Sequence, residues 1–86
     1  MNYVVNASYI RDYKIYLAFD DQNSGMIDLK ETMSSDHRSI FRELINLEKF
    51  KNFKVDMDTI VWANGLDLAP EFLHDLLLKQ QKNEKK

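Results

Sequence analysis

The sequence WANGLDLAP, residues 62–70, constrains the fold most, because it holds the only Trp, the only Pro and one of the two Gly residues. Asn64-Gly65 is a strong turn signal, since both residues tolerate positive φ. Asp67 is placed to cap a following helix, and Pro70 suits its first turn. Trp62 continues the apolar alternation of a preceding strand. The segment therefore predicts a strand end, a reversal and a helix start.

A binding site is the alternative interpretation of the same segment. Trp62, Asn64 and Asp67 could line a pocket at the strand end, where free N–H groups of the helix would attract an anion. However, no Lys, His or glycine-rich phosphate loop lies within the segment to complete such a site. Backbone geometry explains every conspicuous residue, so we interpret the segment as a scaffold.

The N-terminal third predicts a three-stranded antiparallel meander. Apolar and polar residues alternate through YKIYLAF, as in a half-buried strand, and NYVVNASYI lies a few residues before it. The polar cluster DDQNSG ends in Gly25, which suits a second hairpin turn before the short strand MIDL. Further along, KVD and TIVWA predict another hairpin, with its turn at Met57 and Asp58.

Two helices are predicted from apolar residues that recur at helical spacing. The first covers SSDHRSIFRELINLEKF, with Ser and Asp N-caps at 34–36 and the stripe Ile40, Phe41, Leu44 and Ile45. Leu47, Phe50 and Phe53 continue the apolar content with poorer periodicity, which favours a short extra turn of helix there. The second covers LAPEFLHDLLLKQQ, with the stripe Phe72, Leu73, Leu76 and Leu77. The predicted class is therefore α+β: an antiparallel meander of about three strands plus a two-strand hairpin, with two helices packed on one side.

Composition limits the chain to one small domain. With 86 residues, the core can bury only about 60% of the surface that the unfolded chain exposes, so we expect marginal stability. We assign residues 1–78 to a single α+β domain and 79–86 to a Lys-rich flexible tail. The absence of Cys excludes disulfides and thiolate metal sites. Without a recognisable signal peptide or apolar span, we expect a cytoplasmic protein with no membrane contact.

Charge is distributed unevenly along the chain. The predicted tail, KQQKNEKK, has four Lys and one Glu, whereas the preceding residues hold 8 basic and 13 acidic side chains, a net charge of −5. A domain of that sign repels phosphate backbones, which makes nucleic acid an unfavourable partner for the domain on its own. The alternative function is a nucleic-acid-binding regulator that uses the basic tail.

The sequence predicts no catalytic residues, no metal site, no cofactor and no enzyme activity. His37 and His74 are far apart, and neither has a His partner at the spacing that metal sites use. We expect His74 to face solvent. Ser39, His37 and Asp36 lie too close along one predicted helix to adopt the geometry of a catalytic triad.

Four tyrosines indicate a candidate partner-contact surface on the sheet: Tyr3, Tyr9, Tyr13 and Tyr16. Tyrosine combines apolar area with a polar tip and is enriched at protein interfaces. Arg11 and Lys14 are the only basic residues before position 30, too few for a sheet that binds single-stranded nucleic acid.

Three stretches resemble, in order and spacing, the small bacterial domain-of-unknown-function family 2442: YLAFDDQNSGMIDL, IFRELINLEKFKNFKVD and TIVWANGLDLAPEFL. The resemblance runs from about Tyr3 to Leu78. Its central pattern, Trp-x-Asn-Gly-x-Asp-x-x-Pro, is met by Trp62, Asn64, Gly65, Asp67 and Pro70. The sequence departs from the family pattern at Gln22, where members often have Gly after an Asp, and at Ala63, where Pro is frequent.

The resemblance implies a compact α+β domain without an established catalytic activity. Some members are encoded beside another small protein in arrangements that suggest toxin–antitoxin pairs, in which this family would supply the antitoxin. We therefore expect a non-enzymatic interaction module that binds a small partner protein, such as a toxin encoded nearby, and that is itself a monomer or weak homodimer.

Overall fold

Three strands form an antiparallel meander in the computed structural model, which describes residues 2–84. They are β1 (Val4–Arg11), β2 (Lys14–Phe19) and β3 (Ser24–Asp28), in the order β1-β2-β3. Side chains in β2 alternate as predicted, and Ile15 and Leu17 are fully buried on the face that meets the helices. The period-two pattern therefore identified both the strand and its buried face.

The two turns of the meander rely on positive φ at residues other than glycine. Asp12 has a φ of 49° in the first turn, and Gln22 has a φ of 73° in the second. In the second turn the Phe19 carbonyl accepts from the Gln22 N–H at 3.1 Å. Gly25, predicted to provide the turn conformation, instead lies within β3. The turn therefore places Gln22 at a positive φ that glycine would adopt with less steric strain.

The stretch predicted as the first helix with a short extra turn forms several short helical elements. The chain instead forms α1 (Lys30–Ser35), α2 (Ser39–Arg42), a 3₁₀ turn (Glu43–Ile45) and α3 (Leu47–Phe50). The helical spacing over 40–45 is real but short. The sequence pattern missed α1, which lies largely before the predicted N-caps at 34–36 and ends at a first interruption. A second interruption at Asn46 separates the stripe from α3, where a short extra turn was predicted.

Asp36 and Asn46 cause those interruptions. The Asp36 carboxylate accepts the Arg38 N–H at 3.0 Å, and the Asn46 side chain accepts the Glu48 N–H at 2.9 Å. Such local bonds compete with helical hydrogen bonds. A continuous helix would also place Phe50 about 120° around its axis from Leu44, yet both side chains are buried. The breaks therefore allow both residues to reach one core.

A second hairpin follows as predicted, from β4 (Phe53–Asp56) to β5 (Thr59–Trp62). Its turn residues Met57 and Asp58 have φ values of 52° and 67°. Two successive positive values are characteristic of the tight turns that suit hairpins. The backbone N–H of Val4 donates to the Asp58 carbonyl at 2.9 Å, which joins this hairpin to β1.

The C-terminal helix, α4 (Pro70–Glu84), is longer than the sequence pattern indicated. It continues six residues past the predicted domain boundary at Leu78, so residues 79–84 are helical. Lys85 and Lys86, which belong to the predicted tail, lie outside the described residues.

The core lies between the meander, the second hairpin and the helices, which confirms the α+β class, with four α-helices in residues 2–84 instead of the two predicted. Leu73 and Leu77 of α4 are fully buried, as predicted. Phe72 and Ile45 were also assigned to buried stripes, but they are 43% and 44% exposed. Within residues 2–84, no helix is long and apolar enough to cross a membrane.

Candidate functional site

Trp62 anchors the WANGLDLAP segment in the core. Its indole N–H donates to the Phe50 carbonyl at 2.7 Å, and its ring lies edge-on to Phe53 with centroids 6.1 Å apart. The side chain is almost completely buried. The buried indole therefore has the acceptor that it requires, and it holds β5 against the end of α3.

The reversal after β5 depends on Gly65. The Gly65 N–H donates to the Trp62 carbonyl, the Trp62 N–H donates to the Leu66 carbonyl, and both distances are 2.9 Å. Gly65 has a φ of 90°, a conformation that glycine adopts without steric cost. Of the predicted Asn-Gly pair, only the glycine takes positive φ.

Asp67 does not cap the helix, contrary to the prediction. The chain runs back along β5 after the turn, with an isolated antiparallel bridge between Val61 and Asp67. Because α4 begins at Pro70, the position before the helix belongs to Ala69. The segment thus makes a short return along the strand before the helix starts, which the sequence pattern did not reveal.

The Asn64 side chain links the turn after β5 to α2 and the 3₁₀ turn by hydrogen bonds. Its side-chain amide donates to the Ile40 carbonyl at 2.9 Å and to Glu43 Oε1 at 3.2 Å. Its side-chain oxygen accepts the Leu66 N–H at 3.0 Å. One side chain therefore bonds both within the turn and to residues about twenty positions earlier.

The structure does not bring Trp62, Asn64 and Asp67 together in one cavity. Trp62 faces the core, whereas Asn64 borders a small pocket of about 300 Å³ that also contacts Glu43 and Lys49. Asp67 borders a different and larger groove. The arrangement favours the scaffold interpretation over a shared binding pocket.

The larger groove lies beside residues 62–70, which we call the corner. It is bordered by the α1–α2 connection, residues 65–69 and α4. Its volume is about 1420 Å³, and four of its apolar side chains are Ile40, Phe41, Phe72 and Leu76. Phe72 stands in the groove with 43% of its surface exposed. The sequence pattern missed this site because it placed Phe72 in the buried stripe of α4.

A bidentate ion pair borders the groove. Arg38 donates from Nε to Asp36 Oδ1 at 3.0 Å and from Nη2 to Asp36 Oδ2 at 2.8 Å. These bonds, together with the Arg38 backbone N–H, lower the pKa of Asp36 to about 2. The guanidinium also lies 5.0 Å from the centre of the Phe41 ring, a favourable cation–π distance.

The same ion pair argues against a Ser39–His37–Asp36 triad. Both Asp36 oxygens bond to Arg38, so the carboxylate is not directed at His37. His37 is an exposed residue in the connection between α1 and α2. The residues therefore lack the base–orienter bond that triad chemistry requires.

His74 is buried, which corrects the expectation that it faces solvent. Only 8% of the residue is exposed, and its Nε2 lies 2.7 Å from Asp21 Oδ2 in the β2–β3 turn. Its ring also packs edge-on against Phe19, with centroids 5.0 Å apart. Hydrogen bonds from Asn23, and then from His74, lower the pKa of Asp21. Hydrogen bonds among Asp21, Asn23 and His74 therefore link the β2–β3 turn to α4.

The four tyrosines do not share one surface. Tyr9 and Tyr13 lie edge-on to Phe50, with centroids 6.3 Å and 5.1 Å away, so they pack against the core. The hydroxyl of Tyr13 also donates to the Ile45 carbonyl. Tyr16 points to the opposite face of the sheet from the buried Ile15 and Leu17. Tyr3 precedes β1 and is half-buried.

Comparisons with known proteins identify a family for most of the chain. The family model described as "Protein of unknown function (DUF2442)" matches residues 4–76. Neither a curated protein nor a solved structure matches the sequence. Within residues 2–84, no group of three or more His, Cys, Asp or Glu side chains is placed to hold a metal ion.

Proposed function

This chain belongs to the DUF2442 family, and from the groove beside its family motif we propose that it is a non-enzymatic module that binds a small partner protein. The proposal extends to an antitoxin-like role within a bacterial pair, and to a cytoplasmic location. The groove is the surface that we assign to the partner.

The observation that carries the proposal is the exposure of Phe72 in that groove. A phenylalanine 43% exposed on a helix that buries Leu73 and Leu77 leaves apolar area in contact with water. Exposed aromatic side chains beside apolar neighbours often anchor protein interfaces. Phe41 and Leu76 lie in the same groove and would extend the apolar contact.

The size of the groove favours a polypeptide over a small ligand. Its volume of about 1420 Å³ exceeds the roughly 300–1,000 Å³ of typical small-molecule sites. The rim is polar and includes Glu31, Arg38 and Asp67. An apolar centre with a polar rim is the usual anatomy of a protein interface.

Co-expression with the protein encoded beside this gene tests the proposal, with size-exclusion chromatography as the measurement. We expect the two chains to elute together, and Phe72→Gln to weaken the complex at least about tenfold, a loss of about 1.4 kcal/mol. Leu78→Gln is the matched control, because Leu78 is 42% exposed on the same helix but does not line the groove.

Two results would contradict the proposal. One is a parent protein that elutes alone in the presence of the neighbouring gene product. The other is an equal loss of binding in the Phe72→Gln and Leu78→Gln variants, which would place the contact outside the groove. A salt-sensitive shift on duplex DNA would instead support the nucleic-acid alternative.

A further inference from the structure

Two glutamine side chains of α4 bond to the backbone edge of β3. The Gln80 side-chain oxygen accepts the Asp28 N–H at 2.8 Å, and its amide donates to the Asp28 carbonyl at 3.1 Å. The amide of Gln81 donates to the Ser24 carbonyl at 2.9 Å. β3 pairs with β2 along its other edge. The end of α4 therefore lies where a fourth strand would add to the meander.

Gln80 reproduces the bonding of a neighbouring strand. In an antiparallel hydrogen-bonded pair, one residue gives its N–H and carbonyl to the same partner residue. The Gln80 carboxamide does this for Asp28 with one acceptor and one donor. Backbone groups alternate in direction along a strand, so those of Met26 point to the same edge as those of Ser24 and Asp28.

Gly25 makes this close approach possible. A Cβ atom at that position would lie 2.6 Å from Nε2 of Gln81 and 3.1 Å from Cδ1 of Leu77. Any larger residue would thus displace the amide end of the Gln81 side chain, and Leu77 would have to shift by a few tenths of an ångström. The glycine that the sequence assigned to a hairpin turn lies instead where α4 meets β3, and it leaves room for the Gln81 side chain.

We infer that Gln80 and Gln81 form a removable seal, and that the β3 edge beneath them is a docking site for β3 of a second copy of this chain. Unpaired strand edges readily recruit another strand. The seal consists of side-chain bonds from the C-terminal part of a helix, where fraying requires little free energy. This inference concerns the sheet edge. Asp28 and Gln80 also line the groove, but the inference rests on the hydrogen bonds of the edge and does not require the proposed partner.

The composition of β3 suits pairing with itself. In an antiparallel pair centred on Met26, each Ser24 lies opposite an Asp28, and the Asp28 carboxylates stay apart. The two Met26 side chains, each 36% exposed, would form an apolar pair on the two-fold axis. The same register uses the backbone groups of all three residues.

The test compares the oligomeric state of Gln80→Ala/Gln81→Ala with that of the parent by sedimentation velocity over a range of protein concentrations. We expect the variant to dimerise with a Kd at least about tenfold tighter than that of the parent. Lys79→Ala/Lys82→Ala is the control, because it shortens two exposed side chains of the same helix and should leave the Kd unchanged.

A third variant checks the register. Adding Met26→Lys to the double variant places two ammonium groups opposite each other, and we expect it to restore the monomer. Circular dichroism establishes that each variant is folded, and Gln80→Ala alone replaces the double variant if the latter unfolds. A folded variant without the seal that stays monomeric would overturn the inference, as would a dimer that Met26→Lys leaves intact.

Discussion

Residues 62–70 and residues 30–50 both contain strong local sequence signals. The signals in the first region agree on one backbone conformation, whereas those in the second region conflict. In the corner, Gly65 permits the positive φ of a turn and Pro70 restricts φ to a value that suits the start of a helix, and the observed chain turns and starts a helix at those residues. In the helical segment, an apolar stripe favours one long helix, while Asp36 and Asn46 favour breaks.

The outcome in the helical segment was decided by the core. Phe50 must reach Trp62, Tyr9 and Tyr13, whose rings surround it at 5.1–6.3 Å between centroids. A single helix carrying Leu44 into the core would turn Phe50 away. The comparison teaches that the Asn-Gly turn signal and Pro70 located the corner correctly, whereas the apolar periodicity was reliable only between Asp36 and Asn46.

Trp62→Phe should have the largest effect, because the indole joins the two regions. The substitution removes the bond to the Phe50 carbonyl, leaves that carbonyl unpaired and creates a small cavity. We expect a loss of about 2–4 kcal/mol in the free energy of unfolding, measured by urea titration. The exposed Val55→Ala serves as the control. A loss below that of the control would show that the regions are not coupled through this ring.

Asn64→Ala should cost about 1–2 kcal/mol, because it removes bonds to Ile40 and Leu66. Asn52→Ala is a matched comparison, since Asn52 donates only to the nearby Glu48 carbonyl and is exposed. We expect that variant to lose less than about 0.5 kcal/mol in the same titration. Equal losses would mean that the long-range bonds of the corner add nothing beyond local ones.

Gly65→Ala should cost about 1 kcal/mol through backbone strain alone, since a Cβ there would meet nothing within 4 Å. Gly65→Asn should cost less, because Asn tolerates positive φ better than Ala. Thermal unfolding of the two variants measures the difference. If Ala were tolerated as well as Asn, the backbone conformation of Gly65 would not be what fixes the corner.

Gln22→Gly should stabilise the protein by about 0.5–1 kcal/mol, because glycine adopts a positive φ with less strain than glutamine. Gln22 has a φ of 73°, at the position where the family resemblance expects Gly. Gln22→Ala keeps the steric cost and should bring no gain. Urea titration of both variants checks the prediction, and an equal response would locate the effect in the side chain instead of the backbone.

Asp36→Asn should have the smallest effect: a small loss of stability at neutral pH that disappears in acid, because the ion pair is exposed. The folded-state pKa of Asp36 is about 2, below the ordinary value of 3.8. The unfolded chain therefore binds the proton first, and the stabilisation present above pH 3.8 is lost as the pH falls towards about 2. The variant should show a shallower decrease in Tm across this window, whereas Ser35→Ala should follow the parent. An unchanged slope in Asp36→Asn would contradict the prediction.

Sequence patterns identified most of the architecture, because strands and tight turns depend on residues close together in the chain. The alternation in β2 fixed its buried face, and Met57-Asp58 provided the predicted hairpin turn. The family resemblance was likewise confirmed over residues 4–76. Asp36 was recognised as a position where a helix starts, whereas the break at Asn46 was missed because the apolar periodicity continues past it.

The candidate site was much less predictable. The motif residues were recognised, yet the groove beside them depends on Phe72 remaining exposed while Leu73 is buried. Periodicity defines a face of a helix but not how much of that face its neighbours cover. The four tyrosines do not form one surface for a similar reason, since Tyr9 and Tyr13 pack against the ring of Phe50.

The sequence by itself determined where the chain extends, reverses and starts its last helix, because backbone preferences act over only a few residues. Tertiary structure alone decided that His74 meets Asp21, 53 positions away, and that Gln80 bonds to Asp28 across 52 positions. These contacts depend on how α4 docks on the meander. That docking is set by the summed packing of the core, which no local pattern encodes.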